Sequence, residues 1–167
     1  PTKAYKTINE LPNKDEKLGL VKYVGTYTGW YCRNSFDWGG PVQASIQVFT
    51  LVIKINGAAE FTNGDNTYRG FFRYNEVSEA ILGGFEFMTD IKSYRFNIYI
   101  EKHPTNSEYI YGIYAGLERG PQYPVGGRMR LKKLDIVNQA STQTQNIDGG
   151  IEKDLKLLFT GNQPKDF

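Results

Sequence analysis

Residues 93–117 read SYRFNIYIEKHPTNSEYIYGIYAGL. In the first half, Tyr94, Phe96, Ile98 and Ile100 alternate with Arg95, Asn97, Tyr99 and Glu101. A period of two is the mark of a strand with one face on a core. In the second half, Tyr109, Tyr111 and Ile113 alternate with Ile110, Gly112, Tyr114 and Gly116. Between them His103-Pro104-Thr105-Asn106 punctuates the chain as a turn. The stretch reads as two neighbouring strands with a short connection, hence as an antiparallel pair.

The same rhythm runs outward from Leu20 to Leu134. Strands are predicted over 21–32, 45–55, 58–62, 66–74, 79–88, 93–101, 108–117 and 127–134. Turn signals separate most of them, including Asp37-Trp38-Gly39-Gly40-Pro41, Asn63-Gly64-Asp65-Asn66 and Gly120-Pro121. Asn56-Gly57 predicts a two-residue type I′ hairpin turn, with positive φ at both positions. Such a meander must close on itself or split into two sheets to hide its edges. Glycines recur inside the strands, at Gly25, Gly29, Gly70, Gly83, Gly84, Gly112, Gly116 and Gly127. Repeated bends of this kind favour closure. The expected fold is therefore all-β: an antiparallel up-and-down barrel of about eight strands, with a β-sandwich as the alternative.

The flanks read differently. Residues 1–19 are polar and lysine-rich and are read as an arm or linker, with Pro12 limiting any helix between Asn9 and Leu18. Residues 20–134 form the barrel domain. Residues 135–150 (DIVNQASTQTQNIDGG) read as a loop or second linker. Over 151–160, Ile151, Leu155, Leu158 and Phe159 recur at helical spacing, which predicts a short C-terminal helix packed on the barrel or docking a partner.

The chain has 167 residues, a formal net charge of +2 and 23% charged residues. One domain with a real core fits that length. The charge is too small for a dedicated nucleic-acid binder. The most apolar run, Val48 to Ile53, is far too short for a bilayer-crossing helix. A single cysteine, Cys32, admits no internal disulfide and favours a reducing compartment. The expected location is cytoplasmic, with a periplasmic or secreted protein after signal removal as the alternative. Because the first residue is Pro1, a missing preceding segment or partner domain is part of the expectation.

Gly25-Thr26-Tyr27-Thr28-Gly29-Trp30-Tyr31 resembles the first strand of calycin-type barrels: lipocalins, fatty-acid-binding proteins and avidins. Those begin with Gly-x-Trp; here the pattern is Gly25-Thr26-Tyr27, with Trp30 displaced. Gly112 to Leu117 and Pro124 to Leu131 would close such a barrel. The segment is also similar to C-terminal β domains of some bacterial regulators. The resemblance covers about residues 20–134 and implies an interior binding site, as in a small-molecule-binding or sensory module of a larger bacterial protein. The full set of lipocalin motifs is absent, so no ligand class follows from it.

Motifs that dictate chemistry are missing. One histidine, His103 in a turn, and one cysteine leave no set for a structural zinc site or a nucleophilic triad. No phosphate or dinucleotide fingerprint occurs, and no cofactor is expected. The acidic residues show no spacing that marks an acid–base pair. Asn63-Gly64-Asp65-Asn66 carries too little charge for a calcium loop. No enzymatic activity is therefore indicated.

Aromatic residues are the informative class: Tyr 12, Phe 10 and Trp 2, or 14% of the chain. Tyrosine offers an apolar body with one polar tip, suited to ligand cavities and to interfaces. Arg69, Phe71 and Arg73 share one strand face, and Tyr68, Gly70, Phe72 and Tyr74 the other. With the arginines inward they form an anion-binding wall; with the arginines outward, a solvated face. The candidate ligand-binding residues are Tyr27, Arg69, Arg73, Tyr99 and Arg128, for a small anionic or aromatic ligand. The expected function is a non-enzymatic small-molecule-binding or sensory barrel. Alternatives are a structural or protein-interaction module and, last, an enzyme with a site the sequence hides.

Overall fold

The computed structural model describes residues 14–35, 43–88, 93–101, 109–118 and 123–134, together with 149, 152, 153 and 155. Most of the expected arm, the loop over 135–150 apart from Gly149, His103 and the turn Asp37–Pro41 lie outside the described residues. One helix, α1 (Lys14–Val21), precedes eight strands: β1 (Gly25–Ser35), β2 (Gln43–Ile53), β3 (Ala58–Asn63), β4 (Asn66–Asn75), β5 (Ala80–Met88), β6 (Ser93–Glu101), β7 (Tyr109–Glu118) and β8 (Tyr123–Lys133). Each strand pairs antiparallel with the next, and β8 returns to β1 in a closed barrel. The ladder from Tyr27↔Lys133 to Tyr31↔Met129 makes the closure and rules out the sandwich.

Burial explains which face is inside. Tyr27, Phe49, Leu51, Phe61, Phe72, Ile81, Phe85, Ile98, Ile100, Met129 and Leu131 fill the interior. On the outer face Arg69, Glu86, Arg95 and Glu101 alternate with them. Apolar inside and charged outside is the reverse of a lipid-spanning barrel. No helix among the described residues is long and apolar enough to cross a membrane.

The interior has a repeated device. Five inward aromatic rings stand directly across a ladder from a glycine: Phe49 from Gly29, Phe85 from Gly70, Phe72 from Gly83, Phe96 from Gly116 and Tyr114 from Gly127. In four of these pairs the ring lies in or against the space that a side chain on the glycine would occupy; at Gly116 that space is taken by the Phe96 Cβ and the Arg95 carbonyl. A small barrel has too little room for bulk on both partners. These glycines thus serve as seats for rings as well as bends.

One barrel end is sealed. Leu20 and Tyr23, at the end of α1, sink into the core. Gly19 lies on the ring of Tyr74, where any Cβ would collide. Arg73 on β4 pairs with Glu16 of α1 at 2.8 Å, both side chains largely buried. Tyr23 donates its hydroxyl proton to the carbonyl of Glu79, and Tyr27 donates to the carbonyl of Tyr23. An eight-residue helix is too short to persist alone. These contacts hold it. Residues 14–19 therefore belong to the barrel's seal, which corrects their reading as arm or linker.

The phenol of Tyr27 is held protonated well above the usual tyrosine range, first by burial and then by the nearby Tyr23 phenol. The unfolded chain ionises this tyrosine near pH ~10, while the folded protein resists it. The folded state then binds the extra proton, so stability must fall as pH rises above about 10. Urea midpoints measured from pH 8 to 11 should show that decline. It should be shallower in Tyr27→Phe; equal slopes would mean that other groups govern it.

The turn between β2 and β3 departs from expectation. It has three residues, Ile55 to Gly57, between Lys54 and Ala58. Gly57 N–H donates to the Lys54 carbonyl, and only Gly57, at φ 87°, is left-handed. Asn56 instead accepts from Ala58 N–H through its side chain. That is a turn closed by a glycine bulge, which corrects the type I′ reading. Gly57→Val should still cost about 2 kcal/mol, since a branched residue resists this φ. A thermal melt unchanged in the variant would show the turn relaxing at no cost.

A second, smaller core lies outside the barrel wall. Trp30 and Cys32 point outward from β1 and are covered by Leu155, with Ile46 and Tyr109 beside them. Gly149, Glu152, Lys153 and Leu155 are helical. Cys32 is fully buried there, as a small apolar side chain.

Candidate ligand-binding site

The five sequence candidates do not converge. Tyr27 is inside, at the sealed end and 1% exposed, with the Lys133 ammonium 5.9 Å from its ring centroid. Arg69 lies on the outer face opposite Glu60 and Glu86. Arg73 is also outside, held by Glu16. Arg73, Leu82, Tyr99, Ile113 and Arg128 follow one another across the ladders from β4 to β8. Leu82 and Ile113 in that row are 54% and 55% exposed. Of the two orientations the sequence left open, the arginine face of β4 is the outer one, so Arg69 and Arg73 do not join Tyr27 in an interior site. The alternation left one set inward, and burying Tyr68, Phe72 and Tyr74 costs far less than burying two arginines.

The opposite end of the barrel holds a different constellation. Phe61 on β3 is its floor. Its ring stacks on Phe49 at 4.5 Å and 22°. It meets the edges of Phe96 at 5.1 Å, Tyr68 at 5.8 Å and Phe85 at 6.2 Å. Phe85 and Phe96 form a second stack at 5.3 Å and 9°. Above the floor stand Tyr31, Tyr68, Phe96 and Tyr114, all half-buried. Tyr31 and Tyr114 touch edge to face at 5.1 Å.

Two hydrogen bonds shape this mouth. Asn63, at the tip of the β3–β4 hairpin, donates its amide to the Tyr31 hydroxyl at 2.7 Å. Tyr114 lies over Gly127 and donates its hydroxyl proton to the Cys32 carbonyl at 2.7 Å. The second bond spans the place where the β1–β8 ladder has ended. Among the described side chains at this end, Gln47 and Ser45, bonded to each other at 3.1 Å, add two more neutral polar groups.

The wall is incomplete on one side. β2 runs from Gln43 to Ile53, but β3 pairs only with Thr50 to Ile53 before turning at Asn63. Among the described residues, Gln43 to Phe49 therefore pair with β1 alone, leaving a notch beside the mouth.

Sequence reading grouped Tyr68 with Phe72, and Tyr114 with the glycines of β7, on their correct strand faces. It missed that these faces, and not the arginine face, line the mouth. Among the described residues no group of three or more His, Cys, Asp or Glu side chains is placed to hold a metal ion. Searches among protein families, curated proteins and solved structures find no match to this chain. The architecture itself is compatible with calycin-like barrels.

Proposed function

We propose that this chain is a non-enzymatic binding module that holds a compact, uncharged, aromatic or apolar small molecule at the barrel mouth. The asymmetry of the barrel carries this reading. One end is plugged by α1, Tyr23 and Tyr27; the other presents half-buried rings with neutral polar tips. Ring faces and edges attract planar apolar ligands, and a few polar atoms orient them. The arginines that suggested an anion lie outside, so a neutral ligand fits better.

Indole serves as a probe. Titration followed by NMR should shift the ring protons of Tyr31, Tyr68, Phe96 and Tyr114. Tyr68→Ala should weaken binding about tenfold, the loss of roughly one ring contact. Shifts confined to the outer face, or none at all, would defeat the proposal. Native mass spectrometry after mild purification tests for a retained natural ligand.

A second reading, a protein-interaction module, is favoured by the filled interior. Phe49, Phe61, Phe72 and Phe85 occupy the middle of the barrel, leaving only the mouth for a guest.

A further inference from the structure

We propose that the notch between β2 and the β3–β4 hairpin is a strand-addition site for an extended, uncharged peptide segment of a partner protein. The guest would pair antiparallel to β2 along Gln43–Val48 and prolong the line of β3 beyond Asn63.

The hydrogen-bonding direction of β2 supplies the first argument. Lys54 N–H donates to the Ala58 carbonyl, so residues 54 and 58 form a hydrogen-bonded pair. In an antiparallel ladder such pairs recur at every second residue. Thr50 and Val52 therefore face β3 with their N–H and C=O groups, opposite Thr62 and Glu60. Continuing the same alternation, Ala44, Ile46 and Val48 direct theirs into the notch, where no strand among the described residues meets them. Three residues thus offer three donors and three acceptors in a row.

The side chains supply the second. Open strand edges are ordinarily guarded by charge, proline or a bulge. Gln43-Ala44-Ser45-Ile46-Gln47-Val48 has neither charge nor proline, and its register with β1 is unbroken. Val48 is 41% exposed.

The chemistry of the guest follows from the pleat. Its residues opposite Ala44, Ile46 and Val48 would point outward. The residues between them would point into the mouth, beside Ser45, Gln47 and the ring of Phe49. Neutral polar groups and rings suit short apolar side chains there. Main-chain bonds would give affinity and the alternate side chains selectivity, as in other strand-addition sites.

The test uses the full chain and a blocked octapeptide of alternating threonine and valine. With valine inward, the threonine N–H groups face β2. Methylating the threonine nitrogens should abolish binding by calorimetry, while methylating the valine nitrogens should preserve it. Bound peptide should slow amide exchange at Ala44, Ile46 and Val48 at least about tenfold. Val48→Lys should weaken binding at least about tenfold with an unchanged melting temperature. Should that variant fail to fold, the two methylated peptides still decide on the unaltered protein. The proposal is overturned if the parent peptide does not bind or if both methylated peptides behave alike. It also falls if the three amides already exchange slowly in the free monomer. Sedimentation showing β2 paired with β2 of a second copy would assign the edge to self-association instead.

Discussion

Gly70→Ala is expected to cost the barrel about 3 kcal/mol or more, the upper range for overpacking a core. Gly70 faces inward on β4, directly opposite Phe85. A Cβ there would collide with the Gly84 carbonyl oxygen and lie 2.7 Å from the Phe85 ring. The carbonyl is fixed by the sheet, so it has no rotamer into which to retreat. Phe85 is itself stacked on Phe96 and edge-on to Phe72, so it cannot swing away alone. Gly84→Ala on the neighbouring strand is the control. Its Cβ would face outward and meet only the Asn97 side chain, at 3.3 Å. Urea unfolding of both variants should show a large loss for the first and less than about 1 kcal/mol for the second. Equal losses would mean that strand propensity, and not the ring seat, governs these glycines.

Phe61→Ala should cost about 3–5 kcal/mol, as expected for emptying a buried phenylalanine site. The ring touches Phe49, Phe85, Phe96, Tyr68 and Tyr31, each of them on a strand of the closed barrel, which limits collapse into the gap. The vacated volume is lined by rings and should stay dry. Benzene should therefore restabilise the variant in a concentration-dependent way, and by more than it stabilises the native protein. A loss below about 1 kcal/mol, with no rescue, would show that Phe61 is not the floor of the mouth.

The strands were legible because apolar and polar residues alternate along segments such as 93–101, and turn signals separate most of the strands. The helix α1 was not, because its apolar residues show no helical stripe and its stability comes from tertiary contacts with Tyr74 and Arg73. The strand faces were also legible: Arg69 with Arg73, and Tyr68 with Phe72. Which face turned inward followed from weighing burial of arginine against burial of rings, which favours the arginines outward, as the barrel has them. The ring seats were beyond reading from spacing. Gly29 and Phe49 are twenty residues apart, and only the register sets one across from the other. Asn63 and Tyr31 meet for the same reason, because the short β3 ends level with the mouth.

The closing ladder has a consequence for the order in which the protein assembles. Every other ladder joins strands consecutive in the chain, so each can form locally as a hairpin. The closing one must bring Tyr27 to Lys133, across almost the whole domain, for only the pairs between Tyr27 and Tyr31. Its loop-closure entropy falls due before its contacts are gained. Joining of β1 to β8 should therefore be the last event in folding and the first in opening. Amides along Tyr27–Tyr31 that face β8 should exchange through smaller fluctuations than those between β5 and β6. A circular permutant that joins residue 167 to residue 1 and begins at the β3–β4 turn would bring β8 and β1 closer along the chain, and should close sooner.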